Sequence, residues 1–406
     1  MNGEKVIPSR SAIALDFVEE DLRVGKRVTI KGMGQPPTVK VSGTVYCEGD
    51  NTFEGNLLAE NLEAEDNVTI KGDLTVENSV EVEDGRLEVY GNMVARTVDV
   101  DEVLYVRGSL EVGEVDVGGS LKVDGQVKAK SVDVGGSFKA DGEVNAEEID
   151  VGGSVSIESK VEITKLDVGG AAKVHGGKIS EVNIGGSFES TDPLEFQSID
   201  VGGTVKLASE SKGGEIEVGG SLQVEGNLEF SEIDVGGKVE IRGSGKGEKI
   251  DVGGKLEVKK SLTLTEDLEV GGKAEIDDEV TARNIEVGGV LRSRKATAEE
   301  NVEVGGLIKT AEGVIARFVE IGKRGEVRGP IRAKQVIIGK GARVEDVYCI
   351  EVLLRSGAHA QNVYGETITI ESHSNVIGEV QYTKEIIVGE HVSFAKPPQK
   401  VAKLPS

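Results

Sequence analysis

The run Ile149-Asp150-Val151-Gly152-Gly153-Ser154-Val155-Ser156-Ile157-Glu158-Ser159-Lys160-Val161-Glu162-Ile163-Thr164-Lys165-Leu166-Asp167-Val168-Gly169-Gly170 returns to its own beginning after 17 residues. The residue before the paired glycines recurs at Val117, Val134, Val151, Val168, Ile184, Val201, Val218, Val235, Val252, Val270, Val287 and Val304, always 17 apart except for a step of 16 after Val168 and one of 18 after Val252. So regular a period is the signature of one structural unit stacked on itself. Downstream the marker continues at Ile321, Ile338, Leu354, Ile370 and Val388, and upstream at Val100, Val82, Ala64, Cys47 and Ile30, which makes 22 positions.

Within one repeat the apolar residues are Val155 and Ile157, Val161 and Ile163, then Leu166 and Val168, with Ser156, Glu162 and Asp167 between them. Alternation over such short runs is the strand pattern, because successive side chains point to opposite faces. The linkers Gly152-Gly153, Glu158-Ser159-Lys160 and Thr164-Lys165 are too short for helices. Paired glycines suit a tight corner, where φ > 0 is free of steric cost and no side chain meets the glycines stacked above and below. The expectation is an all-β fold, a single-stranded β-helix (β-solenoid) of about 22 coils with three short strands per coil. A left-handed triangle needs three equal six-residue sides; the prevailing 17 has one short side and favours the right-handed form.

The phase holds elsewhere. After Val134 the inward offsets hold Phe138, Ala140, Val144, Ala146 and Ile149, and after Val252 they hold Leu256, Val258, Leu262 and Leu264. An aromatic content of 3% with no tryptophan suits a narrow core. The chain divides into residues 1–25 as an N-terminal tail or cap, 26–393 as the solenoid and 394–406 as a Pro/Lys tail. Inside the solenoid, 26–98 are irregular coils, 99–317 the Val-Gly-Gly array and 318–393 coils of a different flavour.

Seventy-two acidic and 47 basic residues give a net charge of −25, which repels phosphate and excludes an electrostatic nucleic-acid footprint. Cys47 and Cys349 stand far apart without metal-ligand spacing, and the first twenty residues lack a signal-peptide pattern, so the expected location is cytoplasmic. Gly243-Ser244-Gly245-Lys246-Gly247 is not a phosphate loop, because Glu240 replaces its first glycine, Gly247 its Ser/Thr, and no helix follows. No cofactor is expected. His373 and His391 each follow a marker by three residues and should stack as solvated corners on adjacent coils. Acids recur at equivalent positions from coil to coil, so no catalytic carboxylate pair stands out.

The acids form a ladder. Immediately before the markers, facing outward, stand Asp116, Asp133, Asp150, Asp167, Asn183, Asp200, Glu217, Asp234, Asp251, Glu269, Glu286, Glu303 and Glu320. Like charges on neighbouring strands destabilise a sheet, and the compensating benefit is resistance to lateral aggregation, with cation binding or a basic partner as the alternatives. In the last coils the same position holds Ile337, Leu353, Thr369 and Ile387. A strand apolar on both faces is normally covered on both, here by the tail (Phe394, Pro397, Pro398, Val401, Leu404), by another copy, or by a membrane surface attracted to Lys396, Lys400 and Lys403.

The segment Gln335-Val336-Ile337-Ile338-Gly339-Lys340-Gly341-Ala342-Arg343-Val344 through Val388-Gly389-Glu390-His391-Val392, followed by Pro397-Pro398-Gln399-Lys400-Val401, resembles the bactofilins, over residues 318–400. The resemblance implies a polymer-forming cytoskeletal protein, non-enzymatic, whose short right-handed β-helix assembles end to end without nucleotide, often at a membrane. The long Val-Gly-Gly array departs from that family. The expected function is a filament or scaffold that polymerises with itself through its ends, with Ile337, Leu353, Ile387, Val388 and Phe394 as interface residues. A monomeric spacer binding partners along its faces is the rival reading, and a polysaccharide-acting enzyme a third. Ser11 to Glu20, as a short amphipathic helix plugging the core or as an irregular first strand, decides between the first two.

Overall fold

The computed structural model describes residues 3–405. Their regular elements are all β-strands, 49 of them, from Glu4–Ile7 to Gln399–Lys400. Strands pair in parallel with the equivalent residues one turn on, so that Val134 faces Val151 and Asp133 faces Asp150. The chain is a β-solenoid of about 23 turns. The turns fall into two compact units, residues 1–202 and 203–406.

In the first unit the inward positions read from the repeat are the core. Phe138, Ala140, Val144, Ala146, Ile149 and Val151 are all 4% exposed or less, each stacked on its equivalent in the turns above and below. Runs such as Val127–Val134 turn a corner without losing their ladder: inward Val127 and Ala129 are followed by two outward residues, Lys130 and Ser131, before Val132 and Val134 point in again. Another corner is the glycine pair, and its rationale is narrower than the repeat suggested. Neither Gly152 nor Gly153 has a positive φ. A Cβ on Gly152 would lie 2.4 Å from the carbonyl oxygen of Gly135, and one on Gly153 would lie 2.3 Å from that of Gly136. Glycine is required there because the backbone of the previous turn already fills the space of a side chain.

Two boundaries move. Within the segment expected as an N-terminal tail or cap, Glu4–Ile7, Ala12–Leu15 and Phe17–Val18 pair with Asp21–Val24, Thr29–Gly32 and Thr38–Val41, and so form a turn of the solenoid. Of the two forms expected for Ser11 to Glu20, the structure has strands. Ile30 is likewise not a marker. The marker column runs Ala64, Cys47, Val24, Ile7, whereas Ile30 faces Phe53 on the second side of its turn. An excursion closed by a Met33–Thr38 bridge, containing the cis Gln35–Pro36 bond, lengthens that turn and shifts the phase.

In the second unit Leu256, Val258, Leu262 and Leu264 are buried as expected. The glycine-rich segment Gly245–Gly247 is a strand that makes room for an aromatic ring: a Cβ on Gly247 would lie 2.2 Å from Cε2 of Phe230. The last turn extends past residue 393. Ser393–Phe394 pairs with Asn375–Val376, Gln399–Lys400 pairs with Gln381–Tyr382, and the Val401 N–H donates to the Tyr382 carbonyl at 2.9 Å. Ser393–Phe394 and Gln399–Lys400 therefore extend the stack as two short strands, and this pairing does not lay them over the outward apolar column.

Candidate interaction surfaces

The acidic ladder is a column of residues in direct register. In the first unit Asp116, Asp133, Asp150 and Asp167 face one another in turn, followed by Asn183 and Asp200. In the second, Glu217, Asp234, Asp251, Glu269, Glu286, Glu303 and Glu320 do the same. The column also extends upstream through Asp99, Glu81 and Glu63, which the sequence reading omitted. Their signal was present, since each precedes an upstream marker: Val100, Val82 or Ala64.

Stacking leaves its mark on protonation. Partial burial, then the facing Asp133 and Asp99, push the Asp116 carboxyl above its ordinary value. Burial, then Asp133 and Asp167, do the same to Asp150, and burial, then Glu320 and Glu286, to Glu303. Asp167 goes the other way. Burial alone would raise it, but hydrogen bonds from Lys165, 2.5 Å away, and from the Asn183 amide, 2.7 Å away, hold it below the usual range. Asn183 is thus an uncharged rung that turns repulsion into a hydrogen bond.

Asp133 stands between two neighbours, Asp116 and Asp150, whose carboxyls are raised. Asp133→Asn should stabilise the protein at pH 7 by about 0.5–1 kcal/mol, the scale of one or two cross-strand like-charge pairs. A raised carboxyl costs stability above its folded pKa and is relieved as pH falls through it, so the gain should shrink towards about pH 4. Urea melts at both pH values check this; an unchanged midpoint at pH 7, or a gain independent of pH, would contradict the repulsion. No group of three or more His, Cys, Asp or Glu suited to a metal ion occurs among the described residues.

The ladder ends in an apolar column. Ile337 faces Glu320, and Leu353, Thr369 and Ile387 follow in register. Ile337, Leu353 and Thr369 are half-buried, and Ile387 is 51% exposed. Beside it Val388, at an inward position, is 44% exposed, whereas Ile370 and Leu354 beneath it are at most 1% exposed. Phe394 is half-buried on the second side of the same turn. At the other terminus Val6, Ile13 and Phe17 of the first turn are 59%, 36% and 49% exposed. His373 and His391 do stack, ring centroids 5.3 Å apart, at an exposed corner.

That corner has a counterpart the sequence reading missed. Arg324, Gly341, Gly357, His373 and His391 each follow a marker by three residues and take φ of 55–72°. The backbone N–H groups of Arg324, Gly341, Gly357 and His373 donate to the carbonyls of Lys340, Ser356, Ser372 and Glu390 in the next turn, at 2.9–3.1 Å. In the first turns Arg10 and Arg27 have φ of 58° and 59° and donate in the same way to Lys26 and Gly49. Both terminal regions therefore use a left-handed corner where the array uses paired glycines.

No protein-family model, no curated protein and no solved structure matches this chain.

Proposed function

We propose that the chain is a non-enzymatic, bactofilin-like structural protein that assembles through the ends of its solenoid into nucleotide-independent filaments or scaffolds. The observation that carries this reading is Val388, which continues the core column yet is 44% exposed, on the strand Ile386-Ile387-Val388 whose far edge meets no partner strand among the described residues. An apolar core cross-section bordered by unpaired strand N–H and C=O groups is a template for another chain.

A specific observation favours the rival, a monomeric spacer. Pro8 and Pro398 lack an N–H, Lys5 stands at the inward position below Leu22, and Lys400 continues the column Cys349, Gly365, Tyr382. Prolines and inward lysines are common guards of sheet edges. Electron microscopy and sedimentation of the purified protein without nucleotide separate the two: filaments or end-linked chains support assembly, and discrete monomers at every concentration support the spacer. Val388→Arg should lower assembly by roughly ten-fold or more, the cost of a charge at a buried contact being at least about 1.4 kcal/mol. Lys173→Glu, on an exposed outward position, should leave assembly unchanged. Normal assembly by a folded Val388→Arg chain would count against the terminal turn.

A further inference from the structure

A strand apolar on both faces is normally covered on both, and the charges along the rims of the outward apolar column specify what covers it here. We propose that the column is the contact face of a lateral two-fold dimer, in which the sheet face bearing Ile337, Leu353, Thr369 and Ile387 packs on the same face of a second copy. The two solenoids run antiparallel, and the axis passes between the turns of Leu353 and Thr369. Ile337 then meets Ile387 of the second copy, and Leu353 meets Thr369. This goes beyond assembly through the ends and does not depend on it.

The column supplies the apolar contact. Its four residues stand in direct register one turn apart, so the face is a strip of four turns, and every turn has a counterpart at the same spacing on the second copy. Sheet faces pack about 10 Å apart with their strands nearly aligned, and a two-fold axis along the strand direction gives that packing from two identical faces. Four turns of one side make a small interface, so the dimer should form and dissociate with concentration.

The rim at the following corner decides the orientation. The residue after each marker runs Gly339, Arg355, Glu371, Gly389, and the next one Lys340, Ser356, Ser372, Glu390. Bases thus lie towards one end of the strip and acids towards the other. An antiparallel copy brings Arg355 to Glu371 and Lys340 to Glu390, each pair twice. Arg355 and Glu371 already lie 3.5 Å apart within one chain and would join a four-membered cluster, whereas Lys340 and Glu390 have no ion-pair partner among the described residues. On the opposite rim Lys334 comes near Lys384, a like charge that Glu366 neutralises at 2.6 Å. A parallel copy, related by an axis along the solenoid, would instead set Glu286, Glu303 and Glu320 of the same column against themselves. Glu303, whose carboxyl is already pushed up by burial and then by Glu320 and Glu286, would meet a second row of like charge.

The test uses full-length chains carrying Thr369→Cys, beside the axis, or Ile337→Cys, away from it, treated with a short bis-maleimide. The native thiols stay silent, because burial pushes both Cys47 and Cys349 up to about 12. The antiparallel dimer predicts a homodimer from Thr369→Cys, none from Ile337→Cys alone, and a heterodimer when Ile337→Cys is mixed with a mass-tagged Ile387→Cys chain. Contacts through the ends do not produce the first of these, since the turn of Ile387 stacks on that of Thr369. In the Thr369→Cys background, the exposed changes Lys340→Glu and Glu390→Lys should each lower cross-linking by roughly three-fold or more. A 1:1 mixture of the two should restore it, because the mixed dimer holds both pairs with their charges exchanged. Homodimers from Ile337→Cys would overturn the proposal in favour of a parallel contact. Charge variants that cross-link like their parent, alone and mixed, would overturn the orientation. No homodimer from Thr369→Cys would sink the dimer outright, and co-sedimentation with anionic vesicles would then assign the strip to lipid.

Discussion

Val151→Asp should cost more than about 4 kcal/mol at pH 7 and melt at least the turns around it, because an uncompensated buried charge costs several kcal/mol. Val151 is fully buried between Val134 and Val168, so the carboxylate would find only aliphatic side chains above and below. The loss should depend on pH with a definite sign. Burial raises a carboxyl's folded pKa above its unfolded value of about 3.9, so the penalty is smallest below that value and grows by about 1.4 kcal/mol per pH unit until the folded pKa is reached. Lys139→Asp, on the outward face and exposed, should cost under about 1 kcal/mol. Because a solenoid's stability is close to a sum of turn and nearest-neighbour terms, hydrogen exchange should place the Val151→Asp damage in residues near 134–168 rather than evenly along the chain. Equal melts for the two variants would undo the inward and outward assignment of the whole repeat.

That assignment was readable because the same physical demand recurs every turn. Six aliphatics facing a narrow core, a polar residue between each pair and one corner with no room for a side chain leave a period that survives substitution at any single position, as Phe138, Ala172 and Ala274 show by occupying aliphatic slots and remaining buried. The ladder was readable for the same reason, since the residue before an inward marker can only face outward. Failures cluster where the period is locally counterfeit. From Ile30 to Cys47 is 17 residues, but the Met33–Thr38 excursion means that this step joins two different sides of the solenoid. The outermost strands were hard to read because Lys5, Pro8, Pro398 and Lys400 in and beside them resemble tail rather than strand. The matching left-handed corners were hidden because Arg10, Arg27 and His391 carry no composition signal for positive φ.

Glycine shows most clearly what sequence alone confounds, since two unrelated demands select the same residue, and asparagine separates them. Gly153→Asn should cost about 1–3 kcal/mol or more, because its Cβ would stand 2.3 Å from the Gly136 carbonyl oxygen, an atom of the backbone ladder that cannot rotate away. Relief requires neighbouring turns to separate by about 1 Å at a strand spacing near 4.8 Å, which strains the hydrogen bonds on either side. Gly341→Asn should cost well under about 1 kcal/mol. Gly341 is glycine for its φ of 68°, a conformation asparagine tolerates, and the nearest atom to an added Cβ is the flexible Arg324 side chain at 3.8 Å. The same corner column already holds Arg324, His373 and His391 at φ of 60°, 64° and 55°. Chemical denaturation of the two variants measures the difference directly. If Gly341→Asn proves as costly as Gly153→Asn, the corners obey one steric rule rather than two, and the distinction between close backbone approach and left-handed backbone fails.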